Sequence, residues 1–247
     1  MSTNNDLPYQ DTVIIIPTYN EIDNVEKMAK AVFKVHKDLS ILFVDDNSPD
    51  GTGKKIKELQ KENKKIYLIE RSGKNGLGTA YIEGFKWAMK RHFRFFFEMD
   101  CDFSHNPEDI PNLLLSAQRN DLAIGSRYIE GIRVINWPFK RLLLSYFASI
   151  YTRIITGMPI KDATGGYKCF TKKALESLNL DKVFSNGYSF QIELNFKVYS
   201  QGLKVQEVPI IFYERRDGQS KMSKSIVFEA VFAVFKLRIR RTLGILN

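Results

Sequence analysis

The first hundred residues alternate between short apolar runs and stretches with apolar residues at helical spacing, and each apolar run ends in a polar or acidic cluster. That pattern leaves few folds open. Thr12 to Ile16 reads as a buried strand ending at Pro17. Ile22 to His36 places Ile22, Val25, Met28, Ala29, Val32 and Phe33 along one helical face. Ile41 to Val44 is a second strand, closed by Asp45 and Asp46. The turn-rich Asn47 to Gly53 leads into a helix from about Thr52, whose hydroxyl suits a cap. Ile66 to Ile69 is a third strand, Gly78 to Arg91 a helix, and Arg94 to Met99 a fourth strand that ends at Asp100. Such alternation implies right-handed crossovers and a parallel sheet with helices on both faces.

After Asp102 the pattern loosens. Asp109 to Arg119 reads as a helix, Leu122 to Ile124 as a short strand and Pro138 to Thr156 as a long basic, aromatic helix. Tyr167 to Phe170 is a strand, Ser189 to Ser200 a helix and Val205 to Val208 a strand; an amphipathic helix runs from about Ser225. No internal repeat or low-complexity linker interrupts this order. The expected organisation is one α/β domain over residues 1–224 and an amphipathic, membrane-facing helix over 225–247. A chain of 247 residues is enough for one sizeable core.

Charge narrows the partners. The formal net charge is +9, which calls for an anionic partner: nucleic acid, a phosphorylated substrate or an anionic membrane. The bases gather in apolar surroundings, at Arg127, Arg133, Lys140, Arg141, Arg153 and Lys161, and again at Lys236, Arg238, Arg240 and Arg241. The polar start, Met1 to Asp11, carries no secretory signal, and no apolar run approaches the roughly 20 residues that span a bilayer. The expectation is a protein that lies on a membrane without crossing it. Two cysteines, Cys101 and Cys169, make no disulfide framework and fit a reducing compartment.

Open parallel sheets bind ligands at the carboxyl ends of their strands. Three polar groups fall there: Pro17 to Glu21, Asp45 to Ser48, and Asp100-Cys101-Asp102. Capping and turn formation explain each alone, but not their joint occurrence at successive strand ends. Asp100 and Asp102 lie two apart, so on extended backbone both carboxylates point one way. Beside a diphosphate they suit Mg²⁺ or Mn²⁺, which would neutralise charge on a departing nucleoside diphosphate. The competing reading has Asp102 closing the turn and Asp100 pairing with a base; Cys101 reads as a small buried residue. Arg215, Arg216, Gly218, Ser220 and Lys221 form a basic loop that suits phosphate oxygens or plain solvent. Arg141 and Ser145, four apart on a helix, together with Arg127 could hold a phosphate monoester, against the alternative of a solvated face. His36, His92 and His105 have no ligand-like spacing.

With these residues in place the chain resembles the dolichol-phosphate (polyprenol-phosphate) mannose synthases, family 2 glycosyltransferases of the GT-A fold, from about Asp11 to Met222. The resemblance rests on PTYNE at Pro17–Glu21, VDDNSPDGT at Val44–Thr52, GLGTAY at Gly76–Tyr81, MDCDFSHNPED at Met99–Asp109, GSRY at Gly125–Tyr128, WPFKRLLLS at Trp137–Ser145, DATGGYKCF at Asp162–Phe170, GYSFQIEL at Gly187–Leu194 and EVPIIFYERRDGQSKM at Glu207–Met222. It implies that Pro17, Tyr19, Glu21, Val44 and Asp46 hold the nucleoside, and that Asp100, Cys101 and Asp102 form the metal and diphosphate motif. Ser104 stands where some relatives place a Gln in the metal shell. Arg127, Arg141 and Ser145 match the acceptor-phosphate clamp, with Arg127 shared with the donor site, and Arg215 and Lys221 match residues that grip the donor diphosphate. Two departures are Cys101, where a small residue is usual, and Tyr167-Lys168, often Phe-Arg.

The implied reaction moves mannose from GDP-mannose to a polyprenyl phosphate with inversion, giving a β-mannosyl phospholipid. A phosphate monoester is already anionic at neutral pH, so the step needs positioning and electrostatic stabilisation more than a base. The expected location is the cytoplasmic face of a membrane, held peripherally by a membrane-anchoring subunit or by the chain's own amphipathic helices. The alternatives are a UDP-glucose-dependent glucosyltransferase acting on the same lipid, a non-catalytic nucleic-acid-binding module and a membrane scaffold. Asp45, Asp46, Asp100 and Asp102 would repel a nucleic-acid backbone, which argues against nucleic acid as a partner.

Overall fold

The structure is a computed structural model describing residues 6–214 and 224–246. The chain runs through β1 (Thr12–Thr18), α1 (Ile22–Val35), β2 (Ser40–Asp45), α2 (Thr52–Glu62), β3 (Ile66–Glu70), α3 (Leu77–Met89) and β4 (Phe95–Glu98). It continues through α4 (Ile110–Ala117), β5 (Leu122–Ser126), β6 (Val134–Ile135), α5 (Phe139–Thr156) and β7 (Lys168–Thr171). The last elements are α6 (Lys172–Glu176), α7 (Gly187–Ser200), β8 (Val205–Pro209), β9 (Phe212–Tyr213) and α8 (Lys224–Thr242).

Seven strands form one sheet in the order β3-β2-β1-β4-β7-β5-β8. Among the described residues only β7 runs against its neighbours in this sheet, pairing antiparallel with both β4 and β5. The sheet is therefore mostly parallel, as expected, and β1 is its switch point, because β2 and β4 flank it on opposite sides.

Alternation along each strand divides the core into two layers. Val13, Ile15, Leu42, Val44 and Phe96 face one side, against Tyr81 and Phe85 of α3 and Phe190 and Leu194 of α7. Ile14, Ile16, Ile41, Phe43, Phe95 and Phe97 face the other, against Val25, Met28 and Val32 of α1, Ile56 of α2 and Leu113 and Leu114 of α4. Strands buried on both faces explain why their sequences read as continuous apolar runs. Gly84 lets α3 approach β1: a Cβ there would meet Ile15 Cγ2 at 2.6 Å. On α8, Val234 and Leu237 join the first layer, while Phe232 and Phe235 face outward.

Two local expectations need correction. β1 does not stop at Pro17; it continues to Thr18, with Pro17 in parallel register with Val44. Thr52 does not cap α2. It is the first helical residue, and its hydroxyl donates to Asp50 and accepts from the Glu21 N–H, joining α2 to the start of α1.

Candidate active site

The loops after β1 and β2 are fastened to each other. The Thr18 hydroxyl donates to Asp45 Oδ1 at 2.9 Å, and the Ser48 amide and hydroxyl donate to the same carboxylate at 2.9 and 2.7 Å. Asp45 therefore closes the turn, and Asp46 faces a different partner. Arg71, just past β3, gives one arm to Asp46 and another to the Thr79 hydroxyl at 2.6 Å, with its Nε 3.1 Å from Glu83. Burial raises the Asp46 carboxyl above its ordinary range, and the Arg71 charge opposes that shift. Tyr19 is 37% exposed, with Lys74 Nζ 4.0 Å from its ring centroid. Pro17, Tyr19, Glu21 and Asp46 thus gather at one end of neighbouring strands, whereas the Val44 side chain is fully buried in the core layer against α3. Arg71 and Lys74 are additions that the sequence reading missed; their position after β3 follows the same strand-end rule.

The Asp100 loop is built differently from expectation. β4 ends at Glu98, so Asp100 and Asp102 do not share an extended strand. The chain bends sharply instead, and Phe103 takes a left-handed φ of 61°. Asn20 and Asn47, in the loops after β1 and β2, also have positive φ, at 60° and 57°. Asp102 Oδ1 accepts from the Ser104 N–H at 3.0 Å, the turn-closing role considered above. Asp100 Oδ1 accepts from the Tyr81 hydroxyl at 3.3 Å, and the Asp100 N–H donates to His105 Nδ1 at 3.0 Å. His105 is buried and stacks on Tyr167 at 4.8 Å, so it is a structural anchor of this loop and not the unremarkable residue its spacing suggested. Accepting that bond fixes Nδ1 as unprotonated. Cys101 is buried, and burial pushes its thiol well up. The Ser104 hydroxyl is buried without a hydrogen-bond partner among the described residues.

Beneath this loop Glu98 and Lys168 face each other across β4 and β7, fully buried and 3.8 Å apart. Burial raises Glu98 to about 7 and lowers Lys168 to about 8, and in each case the opposite charge of the partner resists the shift.

The basic group is drawn together around Trp137. The Arg127 and Arg141 guanidinium carbons lie 5.3 and 4.1 Å from its ring. Arg127 also lies 5.3 Å from the Tyr128 ring, and the Tyr128 hydroxyl donates to Ser145 Oγ at 2.8 Å. So Arg127, Arg141 and Ser145 belong to one cluster. Each arginine already has a carboxylate. Arg127 meets Asp162 through Nε at 2.7 Å, Nη2 at 2.6 Å and its backbone N–H at 2.9 Å, with Thr164 taking a further bond. Arg141 meets Glu214 through Nη1 alone, which bonds both carboxylate oxygens. Trp137, Asp162 and Glu214 were not read from the sequence as site residues. Arg215 and Lys221 lie outside the described residues.

Beside this cluster α5 has an unusual layout. Its buried positions are Ser145, Ser149, Thr152 and Thr156, while Phe139, Phe147 and Ile154 are 70%, 59% and 74% exposed. A helix on a water-soluble protein normally shows the reverse. The helix packs against α8 through Tyr151, whose ring meets Phe235 and whose hydroxyl donates to the Val231 carbonyl at 3.2 Å. No helix among the described residues is long and apolar enough to cross a membrane.

Residues 13–178 match the family model for glycosyl transferase family 2. The chain is 44% identical over 235 residues to polyprenol monophosphomannose synthase of Mycolicibacterium smegmatis, covering 94% of this chain and 89% of that protein. It is 41% identical over 220 residues to undecaprenyl-phosphate mannosyltransferase of Micrococcus luteus, covering 89% of this chain and 90% of that protein. Among solved structures, the mannosyltransferase PcManGT of Pyrobaculum calidifontis, in complex with GDP-Man and Mn²⁺, superposes with a TM-score of 0.56 at 14% identity, covering 95% of this chain and 74% of that one. That likeness extends the fold assignment.

Proposed function

We propose, from the premise that the chain belongs to glycosyl transferase family 2 and to its polyprenyl-phosphate mannose synthases, that it transfers mannose from GDP-mannose to a polyprenyl phosphate with inversion. The observation that carries this reading is one of adjacency. Phe212 joins the two polar regions: its ring lies 5.6 Å from His105, which anchors Asp100, and 5.3 Å from Trp137 of the arginine cluster, whose Ser145 belongs to α5 with its exposed Phe139 and Phe147. The loops after β1, β2 and β4 would take the nucleotide sugar; Arg127, Arg141 and Ser145 would take the acceptor phosphate; α5 would meet the lipid.

The donor set of the β4 loop fits a hard divalent cation, because it offers the carboxylates of Asp100 and Asp102 and the buried Ser104 hydroxyl, which has no hydrogen-bond partner among the described residues. Asp100 and Asp102, with Ser104, would hold Mg²⁺ or Mn²⁺, which when bound supplies positive charge for the leaving diphosphate. The chain's own residues do the remaining work. Tyr81 and His105 fix Asp100 from its side chain and its backbone. Arg71 fixes Asp46 for the nucleoside. The arginine cluster orients an acceptor oxygen that is already anionic, so alignment replaces a strong general base. Arg215 and Lys221 would close on the donor diphosphate.

The exposed phenylalanines of α5 and α8 support peripheral attachment to a membrane, for which the cytoplasmic face, with or without an anchoring subunit, is the proposed location. Residues 1–224 would be the catalytic domain and 225–247 the membrane-facing helix. A UDP-glucose donor is the alternative for the same site. Incubating the protein with labelled GDP-mannose or UDP-glucose, polyprenyl phosphate and either cation, then extracting lipid, separates them: label from GDP-mannose alone is expected. Asp100→Ala should lower turnover about 10²- to 10³-fold; near-normal turnover with Mg²⁺ or Mn²⁺ would overturn the metal assignment.

A further inference from the structure

Resting on the acceptor-site reading above, the geometry at Arg141 points to a second role for the residue that pairs with it. Arg141 offers three kinds of N–H, and Glu214 uses one nitrogen, Nη1, for both of its oxygens. Arg141 Nε is buried with no hydrogen-bond partner among the described residues, and so is the indole Nε1 of Trp137, whose ring lies 4.1 Å from the guanidinium carbon. Buried donors without acceptors are uncommon in folded proteins, and those of a charged group are the most costly. Here one of them belongs to a cation that is only partly served, and the other adjoins it. A carboxylate brings two oxygens and one negative charge. A phosphate monoester brings three terminal oxygens and up to two charges, and it matches an arginine fork at least as well.

The ion pair is also placed where it can exchange. The Arg141 and Glu214 side chains retain 14% and 20% of their exposure, against 6% and 0% for Arg127 and Asp162. Glu214 stands directly after β9, held by its N–H to the Ile135 carbonyl at 3.1 Å, so its backbone is fixed while its carboxylate reaches outward to the helix. We propose that Glu214 is a built-in occupant of the acceptor-phosphate position, a carboxylate that Arg141 gives up when the lipid phosphate arrives. Until then it keeps the guanidinium aligned and neutral toward weaker anions. A monoester dianion displaces it more readily than a singly charged diester does, so the pair adds selectivity for the acceptor's charge state.

The test uses the full chain, GDP-mannose and a short-chain isoprenyl phosphate in detergent. Glu214→Gln removes the competing charge and should lower the acceptor KM about two- to fivefold, the competition expected of a partly exposed ion pair. It should also increase sensitivity to inhibition by inorganic phosphate, a change that simple loss of structural support would not produce. Arg141→Gln examines the underlying reading separately and should raise the acceptor KM by at least about tenfold, the loss of a charge-assisted contact. If Arg141→Gln leaves that KM unchanged, the acceptor site itself is misplaced. If Arg141→Gln raises it while Glu214→Gln raises it or leaves it unaltered, the acceptor site stands and the occupant role of Glu214 is overturned. Should Glu214→Gln not fold, Glu214→Asp withdraws the carboxylate by one methylene and must shift KM downward too; an unchanged or higher value counts against the proposal.

Discussion

Arg127 and Arg141 lie over the same indole, and each has a carboxylate partner, yet the two pairs differ in nearly every physical respect. Asp162 is fully buried and receives three bonds from Arg127, one of them from the backbone. Its own N–H and that of Lys161 donate to the Glu207 carboxylate, so β5, β8 and the loop before β7 converge on it. Glu214 is bonded by one nitrogen of Arg141 and stays partly in solvent. A charge sunk to that depth can be left unpaired only at high cost, whereas a partly wet pair can be remade with water or another anion at little cost. The first pair holds its arginine in place; the second is the easier one to remake. Proximity to a functional cluster therefore does not tell which ion pair can be exchanged. Depth and the number of bonds already made do.

The largest expected effect tests that difference directly. Asp162→Asn leaves the Arg127 charge buried and should cost about 3–5 kcal/mol of stability, whereas Glu214→Gln should cost less than about 1 kcal/mol, both by urea unfolding. Equal losses would erase the distinction drawn here. Trp137→Leu removes the ring shared by both guanidiniums and should cost about 1–3 kcal/mol, read in the same unfolding series, with a rise in acceptor KM. A stability change without any change in that KM would mean that the indole supports Arg127 alone.

The smallest effect concerns a carboxylate that has a like charge as its neighbour. Burial, and then the adjacent Glu108 charge, push Asp109 up to about 6. A folded value above the unfolded one means that the native state binds more protons in between. Stability therefore falls as pH rises from the ordinary carboxylate range through about 6, and it stays at the lower level above that. Asp109→Asn removes this term and should raise stability above pH 7 by under about 1 kcal/mol after allowing for solvent screening, the gain vanishing below about pH 4. Thermal unfolding from pH 3 to 8 reads it; a pH-independent gain would assign the effect to packing.

Much of this was legible in the residues. Continuous apolar runs marked β1, β2, β3 and β4, because strands covered on both faces need no alternation, and the strand ends gave Glu21, Asp46, Asp100 and Asp102. The reading of Arg141 and Ser145 on one helix face with Arg127 nearby matches the cluster found. What escaped is non-local or very short. Asp162 and Glu214 stand 35 and 73 residues from the arginines they bind, and no spacing rule links them. β6 and β9 have two residues each, too few to show a period. The reversed direction of β7 is a property of pairing and not of its own sequence. The role of His105 depends on a backbone N–H, which is present at every residue but proline.

The reversed layout of α5 has a practical corollary. Its hydroxyl-lined side, Ser145, Ser149, Thr152 and Thr156, is already buried in the protein, so the phenylalanine side is the part for which water is the wrong solvent. In buffer lacking detergent, copies of this chain are expected to hide that side against one another. Any dimer or larger species seen under those conditions would then report the absence of a bilayer, and it should dissolve into single chains once micelles are added.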